Sequence, residues 1–352
     1  MQLELIENFS QVELPSTRYQ GSKAKIAPWI WQSIEGLRFD TVLDAFGGTG
    51  SVSYYLKRRG KAVTYNDFLL SNAISARAMI ENQSVKVSAA EVDQVLGGDN
   101  ATCDFVERMF EDIFFLPDEN RWIDRISSNI RSLPDGYQRA IFYRALFQSC
   151  VVKRPYNLFH RKNLYMRTAD VERNFGNKAT WDTPFEKHFR FFVSETNRLV
   201  FDSGIPCRSL SLDVDAIPGQ YDLVYIDPPY VNAAGVGIDY RDFYHFLEGL
   251  ADYDKWPERI DINRKHRPLT AVPSLWTRGK TVLTAFDTLC RKHADSILAI
   301  SYRSDGIPSE QELADLLRKY KTHVEILHYG SYKYALSKND GSREVLILGH
   351  NG

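Results

Sequence analysis

The chain has 352 residues, 43% of them apolar, which suits a globular protein with a sizeable core and one inserted or appended unit and excludes extended disorder. Its 44 basic and 45 acidic side chains leave a net charge of -1, which excludes a globally basic nucleic-acid binder, so that any contact with phosphate must come from a local patch. No stretch approaches the roughly 20 apolar residues of a membrane span, residues 1–10 carry acids, and Cys103, Cys150, Cys207 and Cys290 are scattered without close pairs. The expectation is a soluble, unexported protein of a reducing cytoplasm, without a disulfide framework, zinc site, redox pair or membrane contact.

Residues 18–23, Arg-Tyr-Gln-Gly-Ser-Lys, precede a predicted helix over 24–34. A Gly-Ser turn before a helix presents free N–H groups and a lysine, which suits an anion such as a carboxylate; a plain surface turn with a solvated lysine reads the same. Residues 41–46 read as a buried strand. Gly47, Gly48, Thr49 and Gly50 then open a helix over 51–59, ended by Gly60. Missing side chains let a backbone approach a ligand closely. The next strand, 61–66, ends at Asp67, about 20 residues after the loop, where an acid can accept from ribose hydroxyls. The glycine spacing is not the dinucleotide fingerprint, and the loop has no lysine for phosphate. An adenosine without phosphates fits better, with a ligand-free glycine turn as the alternative.

Residues 71–82 read as a helix, after which the strand-helix rhythm stops for about a hundred residues, as expected of an insertion. It holds a polar, mixed stretch, a predicted helix over 138–152, and a segment from 151 to 167 without an acid. There Lys153, Arg154, Arg161, Lys162 and Arg167 alternate with Tyr156, Phe159 and Tyr165. Interleaved basic and aromatic side chains suit phosphates and exposed base faces; a solvated charged loop resting on its aromatics is the plainer reading.

A helix over 186–200 returns to the core. A third strand, 207–212, ends near Asp213, which is placed either to hydrogen-bond the base of a ligand or to cap a turn. Residues 221–230 read Tyr-Asp-Leu-Val-Tyr-Ile-Asp-Pro-Pro-Tyr: a buried strand followed by Asp227, Pro228, Pro229 and Tyr230 just past its carboxyl end, where open α/β sheets place ligands. The four residues can grip a planar amine. An exocyclic nitrogen such as that of adenine is a poor nucleophile because its lone pair is delocalised, so two acceptors must draw on its N–H bonds. The Asp227 carboxylate and the Pro228 carbonyl supply them, the prolines fix φ, and Tyr230 can stack on the ring. A simple strand terminator would also read Asp-Pro-Pro. Beyond it, 231–237 carries Gly235 and Gly237 and is expected to be a mobile loop. Phe243, Phe246 and Leu247 form a helix face, and 256–280 is irregular and basic. Strands over 296–302, 322–329 and 344–348, with a helix over 310–320, finish a chain without internal repeats.

These pieces together resemble the α class of adenine-specific DNA methyltransferases, the family of the DNA adenine methylases, over nearly the whole chain. The resemblance is carried by residues 18–23, 44–50, Asn66-Asp67 and 227–230, in the family's order. It implies an α/β, Rossmann-like S-adenosylmethionine-dependent methyltransferase fold with a mostly parallel, doubly wound sheet over 1–82 and 190–352. An inserted, mainly helical target-recognition domain would occupy 83–189. Tyr19, Lys23, Asp44, Phe46, Gly48, Gly50, Asp67 and Asp213 would surround S-adenosylmethionine, and Asp227, Pro228, Pro229 and Tyr230 would hold a flipped-out adenine, with no metal. Lys153, Arg154, Tyr156, Arg161, Lys162 and Arg167 are the expected contacts to double-stranded DNA. The implied activity is methylation of the adenine amine at a specific site, as a solitary methylase or as the modification enzyme beside a cognate restriction endonuclease. A methyltransferase of RNA or of a protein amide is an alternative. So is a DNA-binding module with a vestigial site, which the intact Asp67, Asp227 and Tyr230 argue against.

Overall fold

The apolar runs become seven strands of one sheet: β1 (Thr41–Asp44), β2 (Ala62–Asn66), β3 (Arg208–Leu210), β4 (Leu223–Ile226), β5 (Ile297–Arg303), β6 (His323–His328) and β7 (Glu344–His350). The computed structural model describes residues 14–16, 18–100, 103–169, 178–330 and 342–352; the acidic N-terminal stretch 1–10 lies outside them. Strand order is β3-β2-β1-β4-β5-β7-β6. The pairs among β1 to β5 are parallel, and β7 runs antiparallel to both β5 and β6. The order reverses at β1 and β4, so their carboxyl ends diverge into a crevice.

Side chains alternate across the central strands and so supply two cores. Val42, Val63, Leu223 and Tyr225 face α1 (Ala27–Ile34), α2 (Ser51–Arg58) and α3 (Leu70–Ala76) through residues such as Ile30, Leu56 and Ala73. Leu43, Val224, Ile226 and Ile300 face the helices over Val282–Lys292 and Glu310–Leu317. The first of those two helices was not expected. At the amino-terminal edge, the Asp222 Oδ2 accepts from the N–H groups of Asp40 and Thr41 and from the Thr41 hydroxyl, locking β4 to β1.

A third core belongs to a helical lobe. Phe110, Phe114, Phe115, Phe142 and Phe159 pack with Phe246, Leu250 and Trp256, so the helix α8 (Tyr240–Ala251) and the turn after it join the inserted helices. Within the stretch read as polar and mixed, the chain forms α4 (Ala89–Gly97) and α5 (Pro117–Arg131). α5 begins with Pro117, Asp118 and Glu119, a favoured helix start, and buries Ile123, Ile126 and Ile130 on one face. α6 (Tyr137–Val152) and α7 (Phe185–Leu199) follow, held by the Arg144–Glu195 ion pair at 3.0 Å, buried on both sides.

The loop 231–237 is tied down rather than free. Gly235 N–H donates to Asn232 O, Gly237 N–H to Thr277 O, and Gly279 N–H to Gly235 O. A side chain at Gly237 would meet the Thr277 backbone at 2.6 Å, so glycine here serves a close backbone approach rather than motion.

Candidate active site

A cleft of about 670 Å³ opens at the carboxyl ends of β1, β2 and β4, and the motifs converge on it. Tyr19, Lys23, Asp44, Phe46, Gly48, Asp67 and the run Asp227 to Tyr230 all line it. Gly50, also expected here, is instead the N-cap of α2 at φ 72°, where it lets the loop turn into the helix. Asp213 lines an adjoining cleft of about 1010 Å³ with Phe68, Leu212, Trp276 and Leu275; Phe46, Phe68, Pro229 and Tyr240 belong to both. The Asp213 carboxylate accepts from Asp215 N–H, so the turn-capping role is realised at the rim of a cleft.

The glycine loop is shaped by its neighbours. A side chain at Gly47 would land 2.1 Å from the Tyr65 ring, and the Tyr65 hydroxyl donates to Gly48 O at 2.7 Å. Asp67 holds the loop from the other side, accepting from Gly48 N–H and Leu69 N–H, both at 2.8 Å. Its neighbour Asn66 bridges strand ends, donating to Ala45 O and Leu212 O and accepting from Leu212 N–H.

Four carboxylates gather around this cleft. Asp44 is buried, accepts from the Ser53 hydroxyl at 2.6 Å through Oδ2, and leaves Oδ1 without a partner among the described residues. Burial pushes Asp44 up to about 7, and Asp67 up to about 6 against the two N–H groups it accepts. Asp227 is likewise pushed up to about 7 by burial, with Lys23 pulling it down and Glu344 pushing it up. The Lys23 ammonium lies 3.2 Å from Asp227 and 2.8 Å from Glu344, and these ion pairs outweigh its burial and raise its pKa. Lys23 therefore faces Asp227 and Glu344 instead of an open anion site.

Tyr230 sits over the same cluster. Its hydroxyl bonds to Asp227 Oδ1 at 3.1 Å, to Glu344 Oε1 at 2.9 Å, and to the Lys23 ammonium, while its ring packs edge-on against Tyr302. Tyr19 stacks on Tyr244 at 4.0 Å and on Tyr240 at 5.8 Å. Gly21, at φ 83°, brings the turn so close that a side chain there would lie 2.7 Å from the Tyr240 hydroxyl.

Several of these residues escaped sequence reading. Glu344 was legible only as an acid opening an apolar strand, and Tyr240 and Tyr244 only as a pair four residues apart on a helix. Phe68 and Trp276 carried no pattern at all.

The basic segment divides. Lys153, Arg154 and Arg167, expected to meet DNA, point inward. Lys153 pairs with Glu119 at 2.7 Å and donates to Thr183 O. Arg167 grips the same carboxylate with both terminal nitrogens at 2.7 and 2.8 Å. Arg154, fully buried, donates to Leu158 O, Phe114 O and Arg161 O and lies 4.3 Å over the Phe114 ring. The segment has no acid of its own because α5 supplies one. Arg161, Lys162, Tyr156 and Tyr165 are exposed. Tyr156, 70% exposed, and Asn157 both adopt left-handed backbone, φ 61° and 59°, uncommon for such residues.

Among the described residues no group of His, Cys, Asp and Glu is arranged to hold a metal ion, and no helix is long and apolar enough to cross a membrane.

Comparison with known proteins places these features. The family model for D12 class N6 adenine-specific DNA methyltransferases matches residues 19–261. The chain is 31% identical over 241 residues to the type II methyltransferase M2.HphI of Haemophilus parahaemolyticus, covering 66% of this chain and 70% of that one. It is 26% identical over 341 residues to the type II methyltransferase M.FokI of Planomicrobium okeanokoites, covering 86% and 47%. It is 23% identical over 354 residues to the modification methylase StsI of Streptococcus sanguinis, covering 94% and 51%. The chain thus spans about half the length of the last two relatives.

Proposed function

Since the chain belongs to the D12 class of N6 adenine-specific DNA methyltransferases, we propose that Asp227, Pro228, Pro229 and Tyr230 receive the adenine flipped from duplex DNA, beside a cofactor held by the glycine-loop half of the cleft. S-adenosylmethionine, the cofactor of this family, supplies an electrophilic methyl group on a sulfonium. The residues suit it. A cleft with buried carboxylates, an unpartnered Asp44 Oδ1, and no lysine in its glycine loop favours a cationic nucleoside over a phosphate ligand. Asp44 and Asp67 would hold the cationic amine and the ribose, and Tyr19, Phe46, Gly48 and Asp213 would complete the enclosure, with Gly50 turning the loop behind it and the base against Phe68, Leu212 and Pro229 in the adjoining cleft. Lys23 is assigned to the acceptor cluster.

The observation that carries this reading is the convergence of Asp227, Tyr230, Asp44 and Asp67 on one cleft at the strand ends. Lys23 and the Tyr230 hydroxyl both meet Asp227 Oδ1, leaving Oδ2 as the acceptor for an amine hydrogen. The Pro228 carbonyl takes the other, so the nitrogen lone pair turns toward the methyl carbon. A bound S-adenosylmethionine would supply the methyl group and keep the C–S electron pair on its sulfur, and the proton that the amine gives up would pass by way of Asp227 Oδ2 to solvent.

Two finer assignments follow. The motif order, with cofactor half first and the helical insert before the acceptor motif, supports the α class. Target recognition belongs to the insert over 83–189, with exposed Arg161, Lys162 and Tyr156 against DNA, while 1–82 and 190–352 form the catalytic part. The relatives named as type II methyltransferases and a modification methylase support work beside a cognate restriction endonuclease, in the cytoplasm.

The test is methyl transfer to DNA from a host without adenine methylation, followed by nucleoside analysis. Asp227→Asn should reduce the rate constant for transfer by about a hundredfold or more while leaving cofactor affinity within a few fold, because it weakens a group aimed at the reacting atom. Methylcytosine as the only product, or a fully active Asp227→Asn protein, would overturn the reading.

A further inference from the structure

The last strand contributes a charge to the site that no motif announces. Glu344, at the start of β7, is fully buried, and its Oε1 gathers three partners: the Ser301 hydroxyl at 2.6 Å, the Tyr230 hydroxyl at 2.9 Å and the Lys23 ammonium at 2.8 Å. Ser301 stands on β5, two residues before Arg303, which pairs with Glu344, so the antiparallel register of β5 and β7 delivers the carboxylate to this spot. A buried carboxylate is costly unless paired and hydrogen-bonded. Two of these partners, Lys23 and Tyr230, line the cleft beside Asp227.

We propose that Glu344 is a positioning residue for methyl transfer: it neutralises Lys23 and orients the Tyr230 hydroxyl, so that Asp227 keeps its full strength as acceptor for the adenine amine. This rests on the assignment of Asp227 made above. Lys23 stands between two carboxylates, 3.2 Å from Asp227 and 2.8 Å from Glu344. With Glu344 neutral, the ammonium would commit to Asp227 alone and compete with the amine for its lone pairs. The charged and titratable groups facing Asp227 are Lys23 from the N-terminal turn, Glu344 from β7, Asp44 from β1, Tyr225 and Tyr230 from β4 and its extension, and Tyr240 from α8. Of these, Lys23 and the Tyr230 hydroxyl pull the Asp227 carboxyl down and Glu344 pushes it up, while Asp227 in turn pushes up Asp44. Removing the Glu344 charge acts twice in one direction, deleting a repulsion and freeing Lys23 for Asp227, so Asp227 titrates at lower pH and accepts more weakly.

The experiment compares wild type, Glu344→Gln, Ser301→Ala and Asp227→Asn in single-turnover methyl transfer across pH 5 to 9, with S-adenosylmethionine affinity by calorimetry as the folding control. For Glu344→Gln we expect the plateau rate to fall about tenfold or more, the acid limb to move to lower pH, and cofactor affinity to stay within about threefold. Ser301→Ala, which loosens Glu344 without removing its charge, should lower the rate less and leave the acid limb in place. A Glu344→Gln enzyme with the wild-type pH profile and rate would overturn the proposal. Should Glu344→Gln fail to bind cofactor, Ser301→Ala at the wild-type rate would overturn it in turn. Loss of transfer in Asp227→Asn beside an unaffected Glu344→Gln rejects this role alone, whereas full activity in Asp227→Asn rejects the underlying assignment.

Discussion

At Asp44 the demands of stability and of the cofactor role proposed above oppose each other. The carboxylate is buried with one oxygen unpartnered, and burial lifts it to about 7. In the folded chain it keeps a proton that the unfolded chain releases near pH 4, so its contribution to stability is fully present below that pH and is lost as pH rises through about 7. Asp44→Asn removes this loss. We expect the cofactor-free variant to gain little at pH 4, then roughly 1 kcal/mol per pH unit up to about pH 7, where the gain levels off, read by thermal or urea unfolding. The same group favours a cation. Binding a cationic cofactor stabilises the ionised forms of Asp44 and Asp67, which sit at about 7 and about 6 when free. Affinity for S-adenosylmethionine should therefore be flat above pH 7 and weaken below it, by up to about tenfold per pH unit for each proton that must leave. Calorimetry in two buffers of different ionisation enthalpy would count those protons. Affinity independent of pH between 5 and 8 would show that neither carboxylate meets the cation.

At the scale of elements, the basic segment after α6 shows how charge in a sequence separates into structural and functional parts. Arg154 satisfies carbonyls at 158, 114 and 161, and Lys153 and Arg167 anchor to Glu119 at the first turn of α5. These are internal ties. Removing Arg154 strands several buried acceptors, so Arg154→Ala should cost roughly 3 kcal/mol of stability, measured by urea unfolding. Arg161 and Lys162 are exposed and lack any such task, and their alanine variants should unfold as wild type does. If they meet phosphates, each should flatten the slope of log DNA affinity against log salt by about 0.9. Unchanged slopes in both would shift the search for the DNA surface to Lys265, Arg278 and Lys280, which are also exposed.

At the scale of the molecule, the helical lobe and the sheet are not separable pieces. Trp256, Phe246 and Leu250 lie in one core with Phe110, Phe114 and Phe159, although some hundred residues of chain divide them. Glu248, on the same helix as Phe246, accepts from Leu70 N–H, Ser71 N–H and the Ser71 hydroxyl, and so caps α3 of the sheet layer. A fragment of residues 83–189 therefore lacks part of its own core. Expressed alone it should show no cooperative thermal transition and rapid proteolysis, while the whole chain unfolds in one step by circular dichroism and fluorescence. An independently folded fragment would mean that α8 rests on the insert without completing it.

The strands, the crevice and most of the residues that line the cleft were legible in the sequence because their determinants are local. Short, largely apolar runs mark most of the strands, glycine and proline punctuate several of their ends, and the motif at 227–230 falls where a strand must stop. Those signals say which residues reach the carboxyl edge of the sheet. They say nothing of which charges meet there. Glu344 reached Lys23 through the pairing of β5 with β7, across more than three hundred residues, and Glu119 neutralised a segment that holds no acid of its own. α5 fell in a stretch read only as polar and mixed because its apolar residues are spaced widely among charges, and its helicity is secured by burial of Ile123, Ile126 and Ile130. Local pattern thus determined the frame and the acceptor motif. Burial and long-range pairing decided which ionisable groups gather around Asp227 and which are struts, since the energy of a charge depends on its surroundings in space and not on its neighbours in sequence.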